Sequence, residues 1–123
     1  MTKIKFNTKI TCGDSMKYNK EKRLELYNEA EKYWGKIAQY DQCVEECAEL
    51  IVSINKYKRK CLYNEYQNNP QVEENLVEEI ADTFMCIEQL ISYVGEDRLY
   101  KKLDEKLDKL SGQIKKQKEN KKH

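Results

Sequence analysis

Acidic side chains recur at one spacing in two segments of the sequence. Glu46 and Glu49 are three residues apart, and so are Glu79 and Asp82. Residues at this spacing lie on one side of a helix, so antiparallel packing of two such helices would bring the four carboxylates together. Like charges in a partly dry groove repel strongly unless a cation lies among them. Carboxylate ligands without His or Cys favour a hard ion, Mg²⁺ or Mn²⁺, which also binds phosphate oxygens. The spacing therefore indicates a metal site suited to phosphate chemistry.

Other interpretations of the same residues stay open. Acidic pairs at this spacing are also common on solvated helix faces that bind nothing. A di-iron carboxylate centre would use Glu-x-x-His motifs, which are absent, and the only histidine is His123. Cys43 and Cys47 would share a helix face, but the usual zinc patterns add histidines. The sequence also contains no Gly-rich phosphate loop, no EF-hand loop and no nucleophile paired with a base.

Hydrophobic periodicity predicts the helices that would carry these acids. The four expected helices span residues 19–34, 36–60, 71–94 and 96–114. Gly35 and Gly95 are natural helix stops, and Pro70 suits the start of the third helix. The fold class that follows is all-α, a bundle of about four helices.

The second and third helices each have a broad apolar face, which we expect to lie in the core with the acids at its margin. These faces comprise Tyr40, Cys43, Val44, Cys47, Leu50, Ile51, Ile54 and Tyr57 in the second helix, and Leu76, Ile80, Phe84, Ile87, Leu90, Ile91 and Val94 in the third.

Length and charge limit the possible classes of protein. The chain of 123 residues suits one domain, which we place at residues 19–114, between an extended or disordered arm (1–18) and a cationic tail (115–123). Lys and Arg (23) nearly balance Asp and Glu (22), so no overall field favours nucleic acid or a membrane surface. No apolar run approaches the roughly 20 residues that span a bilayer. An odd number of cysteines (5) without a CxxC pair predicts reduced thiols and a cytoplasmic protein.

Two segments resemble the MazG-like nucleotide pyrophosphohydrolases of the all-α NTP pyrophosphatase superfamily. They are WGKIAQYDQCVEECAELIVSINKYKR (34–59) and NLVEEIADTFMCIEQLISYVG (75–95). The family signature, EExxE followed by ExxD, is matched by Glu45, Glu46 and Glu49 and then by Glu79 and Asp82. The likeness is to the short single-domain bacterial and phage members, and it covers about residues 20–110. The spacer, residues 50–78, is at or beyond the long end of the usual range.

The resemblance implies a function and assigns roles to the acids. Glu46, Glu49, Glu79 and Asp82 would bind Mg²⁺, with Mn²⁺ as a possible substitute, and Glu45 would support the site or orient a water. Glu45, Glu46 and Glu49 would form the catalytic group. The implied reaction cleaves a nucleoside triphosphate to the monophosphate and pyrophosphate by a metal-activated water, with a carboxylate as the base. Members of the family assemble as homodimers or homotetramers.

Further residues are candidates for binding the substrate. Lys56 lies one or two turns beyond Glu49 and is the first candidate for a phosphate contact, followed by Arg59, Lys102 and Lys106. Each of these cations, taken alone, is more often a solvated side chain near a helix end.

Trp34, Gln39 and Tyr40 are candidates for binding the base, although Trp34 also suits a core position. Two other functions stay open. One is a non-catalytic helical adaptor, and the other is hydrolysis of a different compound that contains pyrophosphate.

Overall fold

The computed structural model describes residues 16–63 and 66–121, and within these ranges the chain forms four α-helices and no strand. The helices are α1 (Lys20–Trp34), α2 (Lys36–Tyr57), α3 (Pro70–Val94) and α4 (Glu96–Lys121), and a π-helical turn, Lys58–Leu62, continues α2. The expected all-α class with four helices is confirmed. Most of the predicted N-terminal arm, residues 1–15, lies outside the described ranges.

Local chemistry explains where the helices begin and end. The side chains of Asn19 and Asn69 accept hydrogen bonds from backbone N–H groups in the first turns of α1 and α3, and Pro70 opens α3. Gly35 (φ 90°) and Gly95 (φ 104°) adopt positive φ values that only glycine tolerates easily, and each is the single residue between two helices. α4 continues past Ile114, where we expected its end, to Lys121.

The antiparallel pair α2 and α3 is the centre of the fold. Gln89 donates to the side chain of Gln39 (2.9 Å), the Cys43 thiol contacts the Cys86 carbonyl oxygen (3.7 Å), and Thr83 donates to a backbone oxygen of α2. Successive contacts move down one helix as they move up the other, which defines an antiparallel register. The antiparallel arrangement that the acidic spacing required is therefore present.

Helix α1 packs across this pair through an ion pair. Arg23 forms a bidentate pair with Glu88 of α3, with both distances 2.9 Å, and the buried Tyr27 hydroxyl donates to the same carboxylate (2.7 Å). Lys20 at the start of α1 pairs with Glu96 at the start of α4. The body of the molecule is thus α1, α2 and α3, and α4 contacts this body mainly through α3.

Few side chains of the described chain are buried. The buried ones are Tyr27, Cys43, Cys61, Val72, Thr83, Cys86 and Gln89. Most of the apolar faces predicted for the core are exposed: Val44 is 70% exposed, Ile51 60% and Phe84 56%. The prediction that these faces lie in the core of the chain is wrong, because the described helices are too few to cover both sides of the α2–α3 pair.

No helix within the described ranges has an apolar stretch long enough to cross a membrane. The four cysteines in these ranges are free thiols, and burial raises the pKa of Cys86 to about 12. Such a thiol is almost entirely protonated at neutral pH.

Candidate metal centre

Three of the predicted ligands converge between α2 and α3. One carboxylate oxygen from each of Glu46, Glu79 and Asp82 lies within 4.8 Å of the other two. Oxygen ligands stand about 2.1 Å from Mg²⁺, so ligands on opposite sides of the ion are about 4.2 Å apart. Small side-chain rotations would therefore bring all three carboxylates onto one ion. The convergence follows from the antiparallel register, which sets the middle of α2 beside the first half of α3.

The cluster contains acceptors without donors. Glu46 Oε2 and Glu79 Oε2 are buried and have no hydrogen-bond partner within the described chain. The other oxygen of Glu46 accepts a hydrogen bond of 2.6 Å from Gln42 Nε2, one turn earlier on α2. Buried carboxylate oxygens without a donor are costly, and a cation is the ligand that satisfies two of them at once. The donor set therefore fits a hard divalent metal ion.

The pKa values of Glu46 and Glu49 reflect the lack of positive charge in the cluster. Burial raises the pKa of Glu46, and the charges of Asp82, Glu49 and Glu45 raise it further. The charge of Glu79 is the main cause of the raised pKa of Glu49, which lies beside it. A raised carboxyl pKa means that the folded chain holds protons more tightly than the unfolded chain does. A bound divalent cation would reverse both shifts.

Two cavities border the cluster from opposite directions. The larger, about 750 Å³, extends between α1, α2 and α3, and Glu46 and Asp82 form part of its wall. The smaller, about 380 Å³, lies between α2 and α3, and Glu49 and Glu79 form part of its wall. The acids therefore lie between the two cavities.

The cavities contain some of the candidates for substrate binding. Trp34 and Gln39 line the larger cavity with apolar and sulfur-containing side chains of α1 and α3, among them Leu26, Phe84 and Met85. Trp34 is 69% exposed, so its alternative role as a core residue is wrong. Lys56 lines the smaller cavity together with Ser53 and Asn75.

Other candidates lie away from the acids. Tyr40 does not line the larger cavity, and its ring packs against Tyr93 with centroids 5.5 Å apart. Arg59 is exposed on the π-helical turn. Lys102 and Lys106 are exposed on α4, where Lys102 pairs with Glu105. Glu45 is exposed on α2, next to Glu46.

Three residues near the cluster were not assigned a role from the sequence. Gln42 holds Glu46, and its position four residues before Glu46 is a signal that the helical repeat could have given. Thr83 is buried and ties α3 to α2 by donating to the Glu46 carbonyl oxygen at 3.3 Å. Asn75 joins the wall of the smaller cavity from α3. The positions of Thr83 and Asn75 near the cluster depend on the register between α2 and α3. Neither segment of the sequence shows this register by itself.

No protein-family model matches this chain, and neither the curated proteins nor the solved structures compared with it gave a match.

Proposed function

We propose that this chain is a Mg²⁺-dependent nucleoside triphosphate pyrophosphohydrolase of the MazG-like type. The observation that carries the proposal is the convergence of Glu46, Glu79 and Asp82, with two buried oxygens that lack a donor, at the boundary between two cavities. A surface patch of acids would point its carboxylates into solvent. The order of the acids, EExxE and then ExxD, adds independent support.

The residues of the chain divide the work between binding and proton transfer. Glu46, Glu79 and Asp82 would hold the ion, and Gln42 fixes the orientation of Glu46. A bound ion would polarise the phosphoryl oxygens as a Lewis acid and would lower the pKa of a water. Glu49 lies beside the cluster, where it is suited by its position to accept the proton of that water. In the proposed scheme Glu45 orients the water from the edge of the site.

The cavities suggest the direction in which the nucleotide lies. The larger cavity has the indole of Trp34 and the amide of Gln39, which suit stacking and hydrogen bonding with a base. The smaller one has the Lys56 ammonium and the Asn75 amide, which suit a departing pyrophosphate. This direction places the bond between the α and β phosphates at the acids. Arg59, Lys102 and Lys106 have no role in this arrangement within one chain.

We propose further that the protein works in the cytoplasm as a homodimer or homotetramer. The support is the large set of exposed apolar side chains on α2, α3 and α4, since contiguous apolar surface of this extent marks an interaction site.

Pyrophosphate release from a panel of nucleotides tests the proposal. Canonical, deoxy- and oxidised nucleoside triphosphates are incubated with the protein and Mg²⁺ or Mn²⁺, and the products are separated. We expect monophosphate and pyrophosphate from at least one of them. Asp82→Asn should lower the rate by more than about 100-fold, because ligands matter at least as much as the groups that orient them. Asp41→Asn, an exposed position on α2, is the matched control and should retain the rate.

The exposed apolar faces also favour a second candidate, a non-catalytic helical interaction protein. It predicts no turnover of any nucleotide and a melting temperature that ignores Mg²⁺ and Mn²⁺. The related possibility, hydrolysis of another pyrophosphate compound, is distinguished by including dinucleoside polyphosphates and nucleotide sugars in the same panel. Turnover of these alone would retain the metal site and replace the substrate.

A further inference from the structure

Among the described residues, helix α4 has no packing partner along most of its length. It has 26 residues and no buried side chain, and every residue from Tyr100 to Lys121 is exposed. Its first turn is attached to the body by the pair between Lys20 and Glu96 and by its contact with α3. Helices in proteins owe most of their stability to burial of an apolar face. α4 therefore needs a surface that the described chain does not provide.

The apolar residues of α4 have the spacing of a coiled coil. They alternate at three and four positions and form a single seam: Tyr100, Leu103, Leu107, Leu110 and Ile114. Each side chain of this seam is between 44% and 52% exposed. Residues at this spacing, which here continues for two heptads, keep facing a partner helix over that stretch, since they fill the a and d positions of the heptad. The pattern thus selects a helix as the partner.

The seam offers a continuous apolar surface to a second copy. It runs from Tyr100 to Ile114, which is about four turns or roughly 21 Å of helix. Its five apolar side chains are all about half exposed. A second copy of the chain could therefore cover the seam of α4 and still leave apolar surface on α2 and α3 for further association.

The charges beside the seam favour a second copy over an anionic surface. The flanking positions are of mixed sign or neutral: Asp104, Lys106, Ser111, Gln113 and Lys118. Pairing of two copies therefore opposes no row of like charges. Asp104 lies beside the seam, where an anionic lipid surface would repel it.

We propose that α4 is a dimerisation helix, whose seam pairs with α4 of a second copy as a short coiled coil. The partner is identical, so the interface is isologous and closes with two chains. This inference rests on the homo-oligomer proposed above, whose interface it names, but not on the metal centre or on the proposed reaction. It assigns to α4, which contributes nothing to either cavity, the role of holding two bodies together.

Sedimentation analysis of the full chain and two variants tests this interface. Leu107→Lys puts a charge into the seam. Gly112→Lys puts the same charge on the opposite face of α4, where a side chain would meet nothing within 4 Å. At micromolar concentration the wild type and Gly112→Lys should have at least twice the molar mass of one chain, 14.7 kDa. Leu107→Lys should have a lower molar mass than the wild type, because the association through α4 is lost. A monomeric wild type, or equal masses of the two variants, would overturn the proposal.

A photo-crosslinking residue at position 110 identifies what covers the seam. Two chains should become joined with the link inside α4 of the partner, whereas the same residue at position 112 should give no such link. A link from position 110 to α1, α2 or α3 of the partner would refute pairing between the α4 helices. Vesicles of phosphatidylserine and phosphatidylcholine provide a further comparison. Vesicle binding by a monomeric wild type that Leu107→Lys abolishes would assign the seam to a membrane and would also overturn the proposal.

Discussion

Helix α3 carries two sets of carboxylates that the fold treats in opposite ways. Glu88 faces α1 and receives hydrogen bonds from Arg23 and Tyr27, and the bond from Arg23 is the main cause of its lowered pKa. Glu79, in the first half of α3, lies with Glu46 and Asp82, and a buried oxygen of both Glu46 and Glu79 has no donor within the described chain. The pKa of Glu46 is raised, chiefly by burial.

The difference separates a carboxylate that stabilises the fold from carboxylates that bind something else. An acid with donors is most stable when it is ionised, and it contributes to folding as it stands. Buried carboxylate oxygens without a donor destabilise the fold until a cation binds them. The first arrangement is complete within one chain, whereas the second is completed by a ligand.

The largest expected effect is stabilisation of the fold by a metal ion. At a concentration one hundred times its Kd, Mg²⁺ or Mn²⁺ should raise the free energy of unfolding by about 2.7 kcal/mol, because it binds the folded chain alone. Glu79→Gln should reduce this gain strongly, whereas Glu74→Gln, an exposed position on the same helix, should not. Chemical denaturation with and without the ion measures both. Equal gains in the two variants would remove the distinction between the sets of carboxylates.

Substitution of Glu88 should have the next largest effect on the free energy of unfolding. Glu88→Ala removes three hydrogen bonds and leaves the buried Tyr27 hydroxyl without an acceptor, so we expect a loss of about 2 kcal/mol in the free energy of unfolding. Urea denaturation measures the loss, and Glu74→Ala should change stability by less than about 0.5 kcal/mol. A loss no greater than that of this control would mean that the ion pair with Arg23 contributes nothing.

The two sets should also respond to pH with opposite signs. The pKa of Glu88 is lowered on folding, so its contribution is complete above the unfolded value of about 4.3 and is lost as the pH falls through the folded pKa. The stability advantage of the wild type over Glu88→Gln should therefore be largest near neutral pH and should disappear in acid. Unfolding free energies at several pH values, without metal, provide the comparison. A constant difference across the range would contradict the assigned pairing.

The smallest expected effect concerns Glu46 in the absence of metal. Its pKa is raised on folding, so the carboxyl costs stability as the pH rises through that pKa. Glu46→Gln removes the charge and should raise the metal-free melting temperature by a few degrees at neutral pH, with no gain in acid. Thermal unfolding in chelator measures the change. A lower melting temperature at neutral pH would show that Glu46 stabilises the fold in the way that Glu88 does.

Parts of the site could be predicted from the sequence because they are local. The spacing of Glu79 and Asp82 places them on one side of α3 whatever else the chain does, and Gln42 reaches Glu46 by the same helical repeat. The pairing of Glu88 with Arg23 could not be predicted in this way. These residues are far apart in the sequence, and only the docking of α1 against α3 brings them together.

The apolar faces illustrate the limit of periodicity. Val44 and Phe84 have the spacing of core residues, yet both are exposed in the single chain. Periodicity identifies a face that must be covered, but it does not say whether the cover comes from the same chain or from another. The seam of α4 poses the same question, which the sedimentation and crosslinking experiments address.

The sequence by itself determined the helices, their stops at Gly35 and Gly95, the start of α3 near Pro70 and the position of the acids on their helices. These features depend on backbone geometry and on interactions within a turn or two. Only the tertiary structure decided which carboxylates received donors, which oxygens stayed without them and where the cavities lie. Those outcomes depend on the register of α2 against α3 and on the docking of α1, which many weak contacts between distant residues set together.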